Sequence, residues 1–503
     1  MEFYPYPIQK TKDTCSDYRV WINGEELPLD TARVSKVPIN RRWPGHQRPK
    51  DQSELINFLS AKAEGELEIE VLPLAPSEKA EIRPRSLGTP PRRTEEGRYC
   101  FSLSAPAYFT FEPFGRNRAL HFFIDPLKDY GIDPADEDLI YFGPGEHNAG
   151  MISLKSNQTL YLAEGAVVYG CVSGMDAEHI KILGRGILDN SRNRETILFA
   201  HSAKGNTEAI NNAQRIHTIQ LEYCTDIEID GITIRDSLVY NIRPIGCRNL
   251  TIRNVKIIGC WRYNSDGIDM HNCEDVLIED CFIRTFDDSI CVKGFDCYYD
   301  GDVATAVKAA MYRNGVAYDL FDRTVIRRCT IWNDWGKCLE IGAETKAKEI
   351  RNILFEDCDC IHSMGPTLDC YNVDYALVRD VVYRNIRVEY DDLQPMPMIE
   401  QQDGDLYRNA DPDYAPLLIK VITEHHHEYS KGSDALGINR GILFENIRYF
   451  GRQKPRLRFK GADETHLTEQ VIIHDLYWNG KKIRSFEECE TSIEEFTKDI
   501  ILK

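Results

Sequence analysis

The chain has 503 residues, a formal net charge of −19, 42% hydrophobic residues and 10% aromatic residues. That length exceeds one ordinary core and calls for two domains or one long solenoid. The acidic balance excludes nucleic acid and an anionic membrane as default partners, and makes a strongly anionic polymer a poor default substrate unless a local basic cleft overrides it.

Residues 1–125 carry β-rich runs, Tyr18 to Asn23, Glu66 to Leu72 and Tyr108 to Glu112, with a turn signal at Asn23-Gly24. Their polar–apolar alternation suits a half-buried antiparallel sheet, so a small β-sandwich is expected. Residues 75–98 are rich in Pro, Arg and Glu and read as a long loop. The expected job of this domain is to cover one end of a solenoid, whose terminal coil would otherwise be bare.

From 126 to 503 the pattern becomes repetitive. DIEIDGITIRDS begins at Asp226, NLTIRNVKIIGC at Asn249, DVLIEDCFIRTF at Asp275, TVIRRCTIWND at Thr324, NILFEDCDCIHS at Asn352 and ALVRDVVYRNI at Ala376. Successive starts are 23, 26, 49, 28 and 24 residues apart, the 49 being one coil plus an insertion. Each unit is a short β-branched strand, a polar turn and a second strand, with no helical period. An all-β, right-handed parallel β-helix is the expected fold. HIKILGRGILDN near the front, and GILFENIRYF and QVIIHDLYWNG near the back, extend the array. Insertions near 296–322 and 392–438 interrupt it, and long loops on a rigid scaffold commonly build binding sites. His425-His426-His427 lies in the second, but adjacent residues rarely converge on one ion, so no metal is expected.

Sixteen cysteines would suit a disulfide framework, yet Cys247, Cys260, Cys281, Cys291, Cys329, Cys338 and Cys358 fall inside strand-like runs. There a reduced thiol acts as a small buried hydrophobe. The first twenty residues show no basic segment followed by an apolar one, and no stretch has the apolar length of a membrane span. A cytoplasmic location is the expectation.

The chemistry concentrates between Trp261 and Gly294. Asn264-Ser265-Asp266 is followed by Asp287-Asp288, and Asp266 and Asp288 are 22 residues apart, about one coil. Residues one coil apart occupy adjacent strands, about 4.8 Å from each other. Three crowded carboxylates raise one another's pKa, so one stays protonated as an acid while another remains a base. Such a set suits glycoside cleavage. Neighbours in a regular strand face opposite ways, so presenting both Asp287 and Asp288 to one cleft demands a turn or bulge.

Residues 138–390 resemble the polygalacturonase-type glycoside hydrolases of family 28 and the related dextranase and isopullulanase family 49. The carrying residues are Gly184-Arg-Gly-Ile-Leu-Asp189, Arg243-Pro-Ile-Gly-Cys247, Asn264-Ser-Asp-Gly-Ile-Asp269 and Asp287-Asp288, with GPGEHNAGMISLKSNQTLYLAEGAVVYG (143–170) similar to the entry coil. A preceding β-sandwich is similar to family 49. The resemblance implies Asp287 as general acid, Asp266 and Asp288 as the pair that holds and deprotonates water, and inversion at the anomeric carbon.

Two departures bear on substrate. Where polygalacturonases have Gly-His-Gly, this chain has Gly336-Lys337-Cys338; where they have a uronate-binding Arg-Ile-Lys, it has Thr367-Leu368-Asp369. A uronate carboxylate cannot be expected to pair with Asp369, so a neutral-sugar oligo- or polysaccharide is the expected partner. Lys337, Glu340, Asn264, Arg262, Lys293 and Tyr371 are candidate substrate-binding residues, with Glu344 beside them. Trp261, Trp332 and Trp335 are candidates for stacking on sugar. The chemistry needs no cofactor. The alternatives are a polysaccharide lyase on the same fold, which would need a base and usually calcium, and a non-catalytic carbohydrate-binding β-helix.

Overall fold

The structure is a computed structural model that describes residues 2–9, 14–36, 40–42, 50, 53–193, 217–262, 264–295, 303–390, 399–401, 417–426, 430 and 434–503. The first insertion is described from 303 and the second at 399–401, 417–426, 430 and 434–438; the rest of both lies outside the described residues.

The N-terminal region is a ten-stranded sheet built on the 21-residue strand Ser53–Pro73. Its first half pairs with Asp30–Ser35 and Leu120–Asp125. Beyond Gly65, whose φ of 97° lets the strand bend, it pairs with Tyr99–Ala105 and Tyr18–Ile22. One strand thus serves two layers, and alternate residues close a core between them that includes Val20, Ile69, Phe109 and Phe122. The stretch 75–98 is not all loop. Glu81–Arg83 pairs with Thr110–Glu112, and Arg92–Arg93 with Tyr99–Cys100. Strands this short leave no alternating pattern for a reader of sequence to find.

From Leu139 to Leu502 the chain is one 31-stranded sheet wound into a right-handed parallel β-helix. Its register can be followed along one inward row: Ile227, Leu250, Val276, Thr324, Ile353, Val381, Ile442, Val471 and Ile500 pair in succession. The Asp and Asn residues that punctuate the repeats have a backbone cause. Asp226, Asn249, Asn254, Asp275, Asp280, Asn352, Asp357, Asp380 and Asn385 all adopt left-handed φ between 51° and 57°, a conformation that short polar side chains tolerate. The fifteen cysteines among the described residues are free thiols, most of them buried. No helix among these residues is long and apolar enough to cross a membrane; the one α-helix among them, Val303–Ala310, belongs to the first insertion.

The N-terminal domain does not sit on an end of the solenoid. It lies along a flank, where Ala32, Val34, Phe58 and Phe123 pack on Val167, Ile187, Ile258, Phe282, Trp332 and Ile361 from successive coils. Buried ion pairs line the seam. Arg235 bridges Asp30 and Asp189, Lys256 and Arg185 meet Asp125, Arg116 meets Asp334, His362 meets Glu112 and Arg83 meets Glu389. The alternating aromatic and charged residues of Ala107–Arg116 and Leu120–Asp125 serve two surfaces, their own core and this seam, which a single-sheet reading of the pattern does not separate.

Candidate active site

Asp266 lies between the strands Lys256–Ile258 and Ile268–His271, and Asp287-Asp288 between Phe282–Thr285 and Ile290–Lys293. Ile268 pairs with Ile290, so the two bends stack one coil apart. Gly267 and Ile268 donate their amides to Asp288 O (2.8 Å) and Ser289 O (2.9 Å). The bend frees Asp287 and Asp288 from strand alternation. Each of Asp266, Asp287 and Asp288 offers a carboxylate oxygen within 4.8 Å of the others. They are only 2%, 8% and 6% exposed, Asp287 the most open.

The surroundings divide the proton affinities. Burial pushes Asp266 well up, reinforced by the Asp269 and Asp287 charges and only partly opposed by Lys293. Burial also acts on Asp288, but Lys337 and Lys293, a hydrogen bond with Glu340 and the Lys337 amide outweigh it and hold Asp288 below the usual carboxylate range. The Lys337 amide lies 3.0 Å from Asp288 Oδ1 and its Nζ 3.4 Å away. Lys293 Nζ is 3.9 Å from both Asp266 and Asp288. The proton affinity favours Asp266 as the protonated member and Asp288 as the anion.

Of the other predicted residues, the structure brings Lys337, Glu340 and Lys293 to the aspartates. Lys337 Nζ is 2.8 Å from Glu340 Oε1, and Glu340 is fully buried beneath it, raised by burial and by the Asp288 charge. Lys293 pairs with Asp269 (3.1 Å) and Glu344 (3.5 Å). Asn264 occupies the turn before Asp266, half-buried, with φ of 56°. Arg262 is directed away, its guanidinium on Asp236 and on Ser237 O (3.1 Å). Tyr371 stands one coil beyond the Lys337 coil, its hydroxyl donating to Glu424 (2.8 Å) and its face under Lys420 Nζ (3.8 Å). Trp332 is wholly buried, and Trp261 and Trp335 are more than nine-tenths buried, Trp335 stacked on Phe286. Aromatic identity alone had suggested them as sugar platforms; position in the coil puts them inside.

Three residues escaped the sequence reading. Asp269, buried with Oδ1 unpartnered, is the last residue of the motif that supplies Asp266. Lys420, 3.2 Å from Asp369, follows a long insertion that erases the coil spacing. Asn333, the last residue of the strand Thr330–Asn333 and part of a quoted repeat, donates its side-chain amide to the Asp287 carbonyl (2.7 Å). Two groups among the described residues have metal-compatible spacing, the three aspartates and Asp288-Cys291-Glu340. Both adjoin Lys293 or Lys337, whose ammonium groups already supply positive charge there.

Residues 147–303 match the family described as Glycosyl hydrolases family 28. A curated relative from Vitis vinifera, a probable polygalacturonase, is 27% identical over 326 residues, 59% of this chain and 62% of that protein. The chain therefore spans less than two thirds of that relative's length. Among solved structures, Dex49A from Penicillium minioluteum aligns over 99% of this chain and 96% of its own (TM-score 0.60, 13% identity). An exopolygalacturonase from Thermotoga maritima aligns over 72% and 83% (TM-score 0.50, 16% identity). A family 28 exopolygalacturonase from Yersinia enterocolitica aligns over 86% and 96% (TM-score 0.51, 12% identity). By class, the chain is a right-handed parallel β-helix protein. The likeness to family 28 is found in its sequence, and the fold is shared with both polygalacturonases and Dex49A.

Proposed function

We propose that this protein is an inverting glycoside hydrolase. The observation that carries the reading is the aspartate trio, within 4.8 Å and divided between a raised and a lowered carboxyl. The family resemblance gives the acid's part to Asp287, the most open of the three, which protonates the glycosidic oxygen as the bond from that oxygen to the anomeric carbon breaks. The division of proton affinity itself sets the raised Asp266 against the anionic Asp288. Water forms the new bond to that carbon and gives its proton to Asp288, while Asp266 and Lys293 orient it. The closest oxygens are nearer than the roughly 6.5–9.5 Å of most inverting pairs. Inversion therefore rests on the family resemblance, and product stereochemistry is its test.

The substrate we propose is a neutral glycan. Each lysine described on the site face stands against a carboxylate: Lys337 on Glu340, Lys293 on Asp269, Lys420 on Asp369 and Lys460 on Glu424. A uronate would have to compete with these carboxylates for the lysine charge. The name of the Vitis vinifera relative favours a second reading, cleavage of galacturonan. Incubation with neutral α- and β-linked oligosaccharides and with oligogalacturonates, followed by proton NMR, separates the two. Release of one inverted anomer from a neutral oligosaccharide, lost in Asp287→Asn, is the expected result. Turnover of oligogalacturonate alone would replace the substrate assignment, and a retained anomer would replace the mechanism.

A further inference from the structure

We propose that the N-terminal domain is part of the catalytic apparatus: Arg116 is a positioning residue that holds the Asp287-Asp288 bend through Asn333. The proposal rests on the hydrolase reading for the meaning of that bend, but its geometry is independent of substrate.

Arg116 ends the strand Ala107–Arg116 and is buried in the seam. Its Nη2 donates to the carbonyl of Asn333 (3.0 Å) and to Asp334 Oδ1 (2.9 Å). Asn333 is the register partner of Thr285 in the preceding coil. Its side-chain amide donates to the carbonyls of Asp287 (2.7 Å) and Lys337 (3.1 Å), with Ser289 Oγ and Thr285 Oγ1 at 3.2 and 3.3 Å. An amide has two hydrogens, and the two shortest contacts are the carbonyls of the two bends, so Asn333 ties one bend to the other.

The bends interlock through their backbones as well. Asp334 N–H donates to Thr285 O (2.9 Å), Gly336 N–H to Phe286 O (3.0 Å) and Ser289 N–H to Lys337 O (2.8 Å). The Lys337 amide then meets Asp288 Oδ1. A displacement of residues 333–337 therefore moves both the carbonyl of Asp287 and the donor that favours the Asp288 anion. Arg116 is the N-terminal domain's direct grip on that segment. Asp334 is further fixed by Trp332 Nε1 (2.8 Å) and by Arg284 (3.6 Å), so the guanidinium acts on an otherwise rigid unit. It touches none of the three aspartates and acts only through the bend.

A purely structural Arg116 would dock the domain and nothing more. The Asp30–Arg235 pair, which belongs to the same seam but not to these bends, is the control. In full-length protein, Arg116→Gln, Arg116→Lys and Asp30→Asn are compared by melting temperature, by kcat and KM separately, and by the acid limb of the pH–rate profile. Arg116→Gln is expected to lower kcat about 10- to 100-fold at nearly constant KM, on the scale of a misplacement of about 1 Å. Its acid limb should move to higher pH. Arg116→Lys should fall between, and Asp30→Asn should lose stability without either change. Equal kcat in Arg116→Gln and Asp30→Asn, with an unshifted pH limb, would overturn the proposal. If Arg116→Gln does not fold, Arg116→Lys carries the same comparison. If the wild type hydrolyses no glycan, it is the hydrolase reading that has failed. The positioning is then read from amide hydrogen exchange at Ser289 and Lys337, expected to quicken in an Arg116 variant but not in Asp30→Asn. Unchanged exchange would sink it.

Discussion

Gly336 sits directly against Asp288: a methyl group built on its Cα would lie 2.6 Å from Asp288 Oδ1 and 2.5 Å from the Asp288 amide nitrogen and the Asp287 carbonyl carbon. The absence of a side chain at 336 is what lets one bend nest in the other. Gly336→Ala is expected to displace the aspartates, lowering kcat at least about tenfold while destabilising by about 1–3 kcal/mol, as overpacking does. Kinetics and thermal unfolding of the same preparation check it; wild-type kcat in the variant would contradict the nesting.

Lys337 is the leading charge that keeps Asp288 anionic. Its removal in Lys337→Met should let burial raise the Asp288 carboxyl, so the anion needed to accept a proton is lost at higher pH than in the wild type. The acid limb of kcat/KM should therefore move upward. A limb that stays in place would assign Lys337 to substrate alone.

Asp369 neutralises Lys420. Asp369→Asn should cost stability, about 3 kcal/mol for a broken buried pair, and should free an ammonium group on the site face. Binding of oligogalacturonate, followed by calorimetry, is expected to strengthen in the variant while neutral-sugar affinity stays the same or weakens. No gain for the uronate would remove Lys420 from the account of specificity.

Glu54 lies in the seam, and burial pushes it up to about 7 against the Arg118 amide. Between pH 4.5 and 7 such a carboxyl is protonated when folded and ionised when unfolded. The folded state then binds the extra proton, so this contribution to stability falls as pH rises through that window and is level above it. The group accounts for about 3 kcal/mol at most, at 1.36 kcal/mol per unit. Glu54→Gln, which cannot ionise, should gain on the wild type in melting temperature between pH 5 and pH 8. A difference independent of pH would show that Glu54 is ionised in the fold.

The solenoid was legible because its cause is local and repeated. A β-branched strand followed by Asp or Asn is what a coil with a left-handed corner requires, and Asp226, Asn249 and Asp275 state it at each turn. The aspartate trio was legible because a spacing of 22 residues is one coil when nothing intervenes. The spacing rule fails across an insertion, which is why Lys420 was not connected to Asp369. Nor does residue type carry burial: Arg262 and Trp332 look like sugar ligands in the sequence and are held by Asp236 and by the N-terminal domain. The seam itself was not legible, since its partners are far apart in the chain and each looks like an ordinary surface charge.

Arg83 and Glu389 are 306 residues apart yet share a buried ion pair, and Asp30 with Arg235 does the same near the other end of the flank. A bare solenoid is held by nearest neighbours and can fray coil by coil from its ends. Here the early domain fastens coils from Val167 to Glu389 as a splint does, so partial unwinding must break contacts along the whole flank. Unfolding should be a single cooperative event over these coils. Because the splint is made first and its last contacts are nearly four hundred residues into the chain, folding should be slow for so repetitive a sequence.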